Sequence, residues 1–309
     1  MENGKRVIVA GAEGFIGQEL VAGLKKAGYL VTALTHRADT VAGADRTIKS
    51  EGKNLETIAE DLRPFGYDGF FCLAWRGTAG PLRSDYLVQI KNIETVCRYT
   101  ELAADVLCRR FVFASSINEF EAYGCIMSEN AAPPQGYIYG SAKLAAHMMA
   151  ETVAYGRGIP FISVMFTNVY GERKRSGRLI DASVEKLLKG EHCSFTPGDQ
   201  TYDFIYITDA VGAVISVFEK GRPSAMYYIG SGHPAPLRDF LIEMRDEIAP
   251  SAELGLGEIP FMGYELKYDC FDTDRVRRDT GYENAVTFRE GIRKTAEYIA
   301  ERGNRSGSK

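Results

Sequence analysis

A short strand-like run, Arg6-Val7-Ile8-Val9-Ala10, leads straight into Gly11-Ala12-Glu13-Gly14-Phe15-Ile16-Gly17, and this junction restricts the fold more than any other feature of the chain. Beyond it, Ile16, Leu20, Val21 and Leu24 recur at the spacing of one helix face. The glycines therefore sit at G-x-x-G-x-x-G between a strand and a helix. A missing Cβ lets the backbone approach a pyrophosphate, and the helix N-terminus offers unpaired N–H groups and a positive dipole end. Gly17, one turn in, lets the helix pack close to the strand. The expected cofactor-binding turn comprises Gly11, Gly14, Phe15, Ile16 and Gly17.

The alternation continues. Residues 29–34, 69–74, 111–114 and 160–166 read as strands; 55–62, 85–104 and 137–155 read as helices. The strands lack strict polar alternation, which fits a sheet covered on both sides. The fold class expected is α/β, a Rossmann-like doubly wound parallel sheet with a smaller C-terminal substrate lobe. Residues 117–136, with Gly124, Pro133, Pro134 and Gly136, read as a loop in which Glu119 and Glu129 are solvated carboxylates. Residues 203–220 read as a strand and helix that rejoin the main sheet. The expected dinucleotide-binding domain is 1–171, rejoined by about 203–232. Residues 172–202 and 233–309 form the substrate-binding lobe, with a frayed tail at 302–309.

The end of the second strand bears on cofactor choice. In this fold NAD usually meets an Asp or Glu there, which holds the ribose 2′-OH. Here the run is Leu34-Thr35-His36-Arg37. Arg37 can pair with a 2′-phosphate, and Thr35 and His36 can donate to it. The reading favours NADP(H), with NAD(H) possible.

Composition narrows the partners. A formal net charge of −4 removes the usual electrostatic reason to expect nucleic acid. No apolar run approaches the ~20 residues that cross a bilayer, and the N-terminus enters its first strand without a leader-like segment. None of Cys72, Cys97, Cys108, Cys125, Cys193 and Cys270 forms a C-x-x-C pair, and His36, His147, His192 and His233 lack ligand spacing. The expectation is a cytoplasmic protein with reduced thiols, no metal, and a small-molecule partner.

Tyr139-Gly140-Ser141-Ala142-Lys143 puts a phenol and an amine on one helix face. The strand Phe111-Val112-Phe113-Ala114 ends in Ser115-Ser116, on the ligand-binding edge of a parallel sheet. A free phenol has a pKa of ~10. An ammonium group at ~4 Å, in an effective dielectric of ~20, favours phenolate by about 4 kcal/mol before desolvation subtracts from it. Tyr139 can then exchange a proton with a substrate oxygen that Ser116 polarises, while Lys143 also holds the nicotinamide ribose.

With these residues assembled, the chain resembles the extended short-chain dehydrogenase/reductase family, the NAD(P)-dependent sugar-nucleotide epimerases, dehydratases and reductases. The markers are Gly11/Gly14/Gly17, Cys72-Leu73-Ala74-Trp75, Phe113-Ala114-Ser115-Ser116, Tyr139 to Lys143, Asn168-Val169-Tyr170-Gly171 and Asp203-Phe204-Ile205-Tyr206. The resemblance implies Ser116, Tyr139 and Lys143 as catalytic residues, with Leu73, Ala74 and Trp75 along the cofactor. It implies Asn168 on the diphosphate side of a nucleotide sugar. It also implies a homodimer formed through the helices around 85–104 and 137–155. Asn92 resembles the family's helix asparagine. One departure stands out: the family often has Arg before Asp-Phe-Ile-Tyr, and this chain has Tyr202. Arg76, Arg178, Arg275 and Arg277 are candidate replacements, so the expected substrate-binding set is Arg76, Ser116, Asn168, Arg178 and Tyr202.

Among the family's reactions, Ser116-Ile117-Asn118-Glu119 lacks the Asp of a 4,6-dehydratase. The stretches 198–205 and 271–274 resemble deoxysugar 4-ketoreductases, and Thr35-His36-Arg37 leans the same way. The leading expectation is an NADPH-dependent reductase of a nucleotide-linked 4-keto deoxyhexose. A sugar-nucleotide 4-epimerase and a reductase of a non-nucleotide carbonyl stay open, and a non-catalytic dinucleotide-binding regulator is the reading from another class.

Overall fold

The computed structural model describes residues 4–37, 40–50, 54–128, 137–172 and 178–306. The first half runs β1 (Arg6–Ala10), α1 (Phe15–Lys26), β2 (Leu30–Thr35), β3 (Arg46–Lys49), α2 (Leu55–Leu62), β4 (Gly69–Cys72), α3 (Tyr86–Asp105), β5 (Phe111–Ser116), α4 (Asn118–Met127), α5 (Tyr137–Gly156) and β6 (Phe161–Phe166). Next come β7 (Asn168–Tyr170), α6 (Leu179–Leu188), β8 (Cys193–Phe195), β9 (Thr201–Tyr202), β10 (Phe204–Tyr206), α7 (Ile207–Lys220) and β11 (Ala225–Ile229). Last are β12 (Ala235–Pro236), α8 (Leu237–Ile248), β13 (Leu254–Leu256), α9 (Arg275–Thr280) and α10 (Phe288–Ser306).

A seven-stranded sheet in the order β11-β6-β5-β4-β1-β2-β3 organises these elements, and every pairing in it is parallel. This is the Rossmann-like arrangement expected. Strand order reverses at β1, whose neighbours are β2 and β4, so a crevice opens beyond its C-terminal end.

Successive strand residues point to opposite faces, and each face carries its own core. Val7, Val9, Val31, Phe71 and Val112 belong with α1 and α7 to a core that runs on into α6 and α8. Ile8, Ala10, Phe70, Phe111 and Phe113 pack with α2, α3 and α5. On α5, Ala146, Ala150 and Ala154 recur every four residues and are fully buried; these small side chains let it lie close against α3 and the sheet. The N-terminus of α3 is capped by Asp85, whose carboxylate accepts from Leu87 N at 3.0 Å and Val88 N at 3.2 Å. All six cysteines are unpaired. No helix among the described residues is long and apolar enough to cross a membrane.

Four expectations need correction. Residues 118–127 form α4 rather than a loop, burying Glu119, Ala122 and Cys125 at helical spacing. Its Gly124 is a packing glycine, since a Cβ there would lie 2.4 Å from the Tyr264 ring. Residues 129–136, with Glu129, Pro133, Pro134 and Gly136, lie outside the described residues. Second, β10 does not rejoin the main sheet; it pairs with β7 in a separate two-stranded sheet. The strand that extends the main sheet is β11, beside β6. Third, Arg46-Thr47-Ile48-Lys49 is an edge strand, β3; its polar residues and short length hide it from an apolar-run reading. Fourth, α10 continues to Ser306, so the helix extends into the expected tail.

Candidate active site

The glycine turn is shaped by close backbone approach. Gly11 adopts φ +83°, and a Cβ there would lie 2.7 Å from Ala74 N. Leu73 N donates to Ala10 O at 2.9 Å, which ties the end of β4 to β1. A Cβ on Gly17 would lie 2.1 Å from Gly11 O, so α1 can start only where glycine stands. Gly14 N donates to Gly11 O at 3.1 Å and Gly14 caps the helix with an extended backbone. Phe15 and Ile16 begin α1 and pack partly against the core. This cradle, bordered by Leu73 and Ala74, fits a dinucleotide phosphate.

Across the crevice, β5 ends in Ser116 and α5 begins two residues before Tyr139. The Ser116 hydroxyl is close enough to act on the Tyr139 phenol. Both are buried, as is Lys143. Gly140 lets α5 reach this position, because a Cβ there would lie 2.4 Å from Asn118 O at the start of α4. Lys143 Nζ donates to Ala114 O at 2.7 Å and stands 3.9 Å from the Trp75 ring centroid. The Trp75 ring meets Tyr139 edge-on at 6.0 Å and is anchored by Nε1 donating to Gln89 Oε1 at 2.8 Å. Trp75 thus stands beside both catalytic candidates.

The electrostatics differ from the simple phenol–amine pair. Burial pushes the Tyr139 phenol above its ordinary value; Arg83, the Ser116 hydroxyl and Arg178 pull it down, and Glu119 adds to the rise. The cation at the phenol is therefore Arg83, whose guanidinium carbon lies 4.1 Å from the Tyr139 ring centroid. Lys143 serves the Ala114 carbonyl instead, and burial pulls its ammonium down to about 8 against the influence of Glu119.

Arg83 is held by Thr78 O at 3.0 Å and by Asn118 Oδ1 at 3.2 Å. Asn118 is a hub. Its Oδ1 also accepts from Ser116 Oγ at 3.1 Å, and its Nδ2 donates to Glu121. Glu121 accepts from Asn118 Nδ2, and this leaves Asn118 Oδ1 turned toward Arg83 and Ser116, while burial pushes the Glu121 carboxyl up. Glu119 is buried rather than solvated: it accepts from Ser115 Oγ at 2.5 Å and pairs with His147 Nδ1 at 2.8 Å.

A model of the NAD dependent epimerase/dehydratase family matches residues 7–230. The chain belongs to this family. CDP-abequose synthase of Salmonella typhimurium is 25% identical over 297 residues, covering 93% of this chain and 95% of that protein. The dTDP-glucose 4,6-dehydratase of Shigella flexneri is 24% identical over 67% of this chain and 59% of its own length. Among solved structures, UDP-glucose 4-epimerase of Thermotoga maritima superposes with a TM-score of 0.80 at 21% identity, over 96% of this chain and 99% of that one. A Bordetella bronchiseptica enzyme crystallised with NADH superposes with a TM-score of 0.78 at 20% identity, covering 97% and 93% of the two chains.

As a member of the epimerase/dehydratase family, the chain is an enzyme. The remaining expected site residues fall in different places. Asn168 clasps β10, donating from N and Nδ2 to Asp203 O at 3.2 and 3.1 Å. Asn92 holds the backbone of Arg76 at N and O, at 3.0 and 2.8 Å, while the Arg76 side chain is exposed. Tyr202 stacks on Phe204 at 5.7 Å and lies within electrostatic reach of Arg83 and Glu121. Arg178 stands at the start of α6 and acts on both Arg83 and Tyr139. Arg277 is paired with Asp274 at 2.7 Å, and Arg275 donates to Met226 O at 3.2 Å near Asp272.

The cofactor-selecting residues differ most from expectation. His36 Nδ1 and Arg37 Nε lie 3.6 and 3.7 Å from Glu13 Oε1, and Thr35 Oγ1 donates to Glu13 Oε2 at 2.5 Å. A carboxylate does stand at the end of β2; it comes from the glycine turn. Sequence reading missed Glu13, Arg83, Asn118 and Glu121. Glu13 and Asn118 sit inside recognised motifs, whereas Arg83 carries no local signal.

Proposed function

We propose that the chain is a reductase of the 4-keto group of a nucleotide-linked deoxyhexose, working as a homodimer with residues 172–202 and 233–309 forming the substrate lobe. The observation that carries this reading is the buried cluster of Ser116 at the C-terminal end of β5, Tyr139 and Lys143, with Trp75 beside both the phenol and the amine. The near-full-length likeness to CDP-abequose synthase supports a CDP-linked or similar sugar. A nicotinamide coenzyme, when bound, supplies the hydride. Tyr139 Oη delivers a proton to the substrate oxygen, and Ser116 Oγ holds that oxygen. Asn118 fixes the Ser116 hydroxyl, and Arg83 stabilises the phenolate left behind. Lys143 presents an ammonium toward the coenzyme ribose. Gly11, Gly14, Gly17 and the start of α1 hold the pyrophosphate.

The test is a panel of CDP-, dTDP-, UDP- and GDP-linked 4-keto-6-deoxyhexoses with NADH and NADPH. The expected result is coenzyme oxidation with at least one sugar, and a fall in kcat of about 10²–10⁴-fold in Tyr139→Phe. Unchanged turnover in that variant removes Tyr139 from proton transfer. A second reading, a 4-epimerase that retains its coenzyme, is favoured by the Glu13 carboxylate beside Thr35. Interconversion of sugar isomers without net coenzyme oxidation selects it.

A further inference from the structure

Glu13 stands in the turn between β1 and α1, at the second x of Gly11-x-x-Gly14. Thr35 at the end of β2 fixes one carboxylate oxygen through the 2.5 Å bond to Oε2. The other oxygen, Oε1, is shielded from solvent and has no hydrogen-bond partner among the described residues. His36 Nδ1 and Arg37 Nε approach it at 3.6 and 3.7 Å, as ion-pair neighbours beyond hydrogen-bond length. Arg37 Nε donates instead to His36 Nε2 at 2.9 Å. Thr35, His36 and Arg37, the groups suited to receive a 2′-phosphate, are thus all gathered around a carboxylate. Asp39, further along, lies outside the described residues.

In this fold the adenosine ribose lies between the first glycine turn and the end of β2. A buried carboxylate oxygen lacking a donor there is suited to accept a ribose O–H. A 2′-phosphate would bring about −1.5 to −2 charges to the same point and would have to take Arg37 away from Glu13. We propose that Glu13 is the acceptor for the adenosine ribose hydroxyls and makes this enzyme select NAD(H) over NADP(H). The selecting carboxylate has moved from the strand end to the glycine turn. The proposal rests on the reading of the crevice as a dinucleotide site, and on neither the sugar nor the reaction.

Binding without sugar tests it. NADH and NADPH are titrated against the full chain by calorimetry and by quenching of Trp75, its only tryptophan. The expected result is NADH at least about tenfold tighter, with Glu13→Gln cutting that preference by about tenfold, mainly through tighter NADPH binding. Arg37→Ala is expected to leave the ratio unchanged or shifted further toward NADH by less than about threefold. Should Glu13→Gln not fold, Glu13→Ser carries the same expectation. Equal or tighter NADPH binding by the wild type overturns the proposal, as does an unchanged ratio in the Glu13 variant. A large NADPH-specific loss in Arg37→Ala also overturns it, because Arg37 would then serve the phosphate. If neither coenzyme binds, the dinucleotide reading falls and this proposal with it. Selective NADH binding without turnover of any sugar leaves this proposal standing and removes only the reductase.

Discussion

At the scale of single residues, the decisive feature is that Arg83 stands at the Tyr139 ring while Lys143 turns toward Ala114. A phenol buried this deeply holds its proton strongly, and a neighbouring guanidinium is what makes phenolate accessible. The groups that act on Tyr139 are Arg83 from the turn before α3, Ser116 at the end of β5, Arg178 at α6 and Glu119 on α4. Replacing Arg83 by Gln is expected to raise the Tyr139 titration further, whereas Arg83→Lys leaves it near the wild-type value. A ¹³Cζ-tyrosine NMR titration reads this directly, with the Tyr139 signal assigned by its loss in Tyr139→Phe. Identical titrations in wild type and Arg83→Gln would show that Arg83 only packs there.

At the scale of elements, α4 does more for the site than its length suggests. It supplies Asn118 to Ser116 and Arg83, and it buries Glu119 against His147 and Ser115. Glu119 favours the charged form of Lys143, which burial has already drawn down to about 8. The lysine is cationic below that pH and neutral above it. Activity that needs the ammonium is therefore expected to fall as pH rises through about 8. Glu119→Gln removes the favourable charge, so the alkaline limb of kcat/KM is expected at lower pH than in the wild type. A variant that loses activity with its limb unmoved would mark Glu119 as a packing residue. None of this was legible while 117–136 read as a loop. Gly124 and the prolines signal a turn by composition, and the ring of Tyr264 that makes Gly124 a packing residue is supplied from far along the chain.

At the scale of the whole molecule, α3 and α5 pack together and leave Tyr86, Leu87, Ile90, Met148, Met149 and Tyr155 exposed. Apolar side chains gathered on two adjoining helices suit burial against a second copy. The double variant Ile90→Glu, Met148→Glu is expected to sediment as a monomer where the wild type sediments as a dimer; a monomeric wild type would dismiss the arrangement. What the sequence by itself determined is what depends on neighbours in the chain. The continuous apolar strands, the 3.6-residue helix faces and the glycines between β1 and α1 specified the parallel sheet and its crevice, and the placement of Ser116 at a strand end and of Tyr139 and Lys143 on one helix face followed from their positions in the chain. The tertiary structure decided which charges meet. Glu13 with Arg37, Arg83 with Tyr139 and Glu119 with His147 are pairings across separate elements. Their energies depend on distance and on exclusion of water, and neither is encoded in residue spacing.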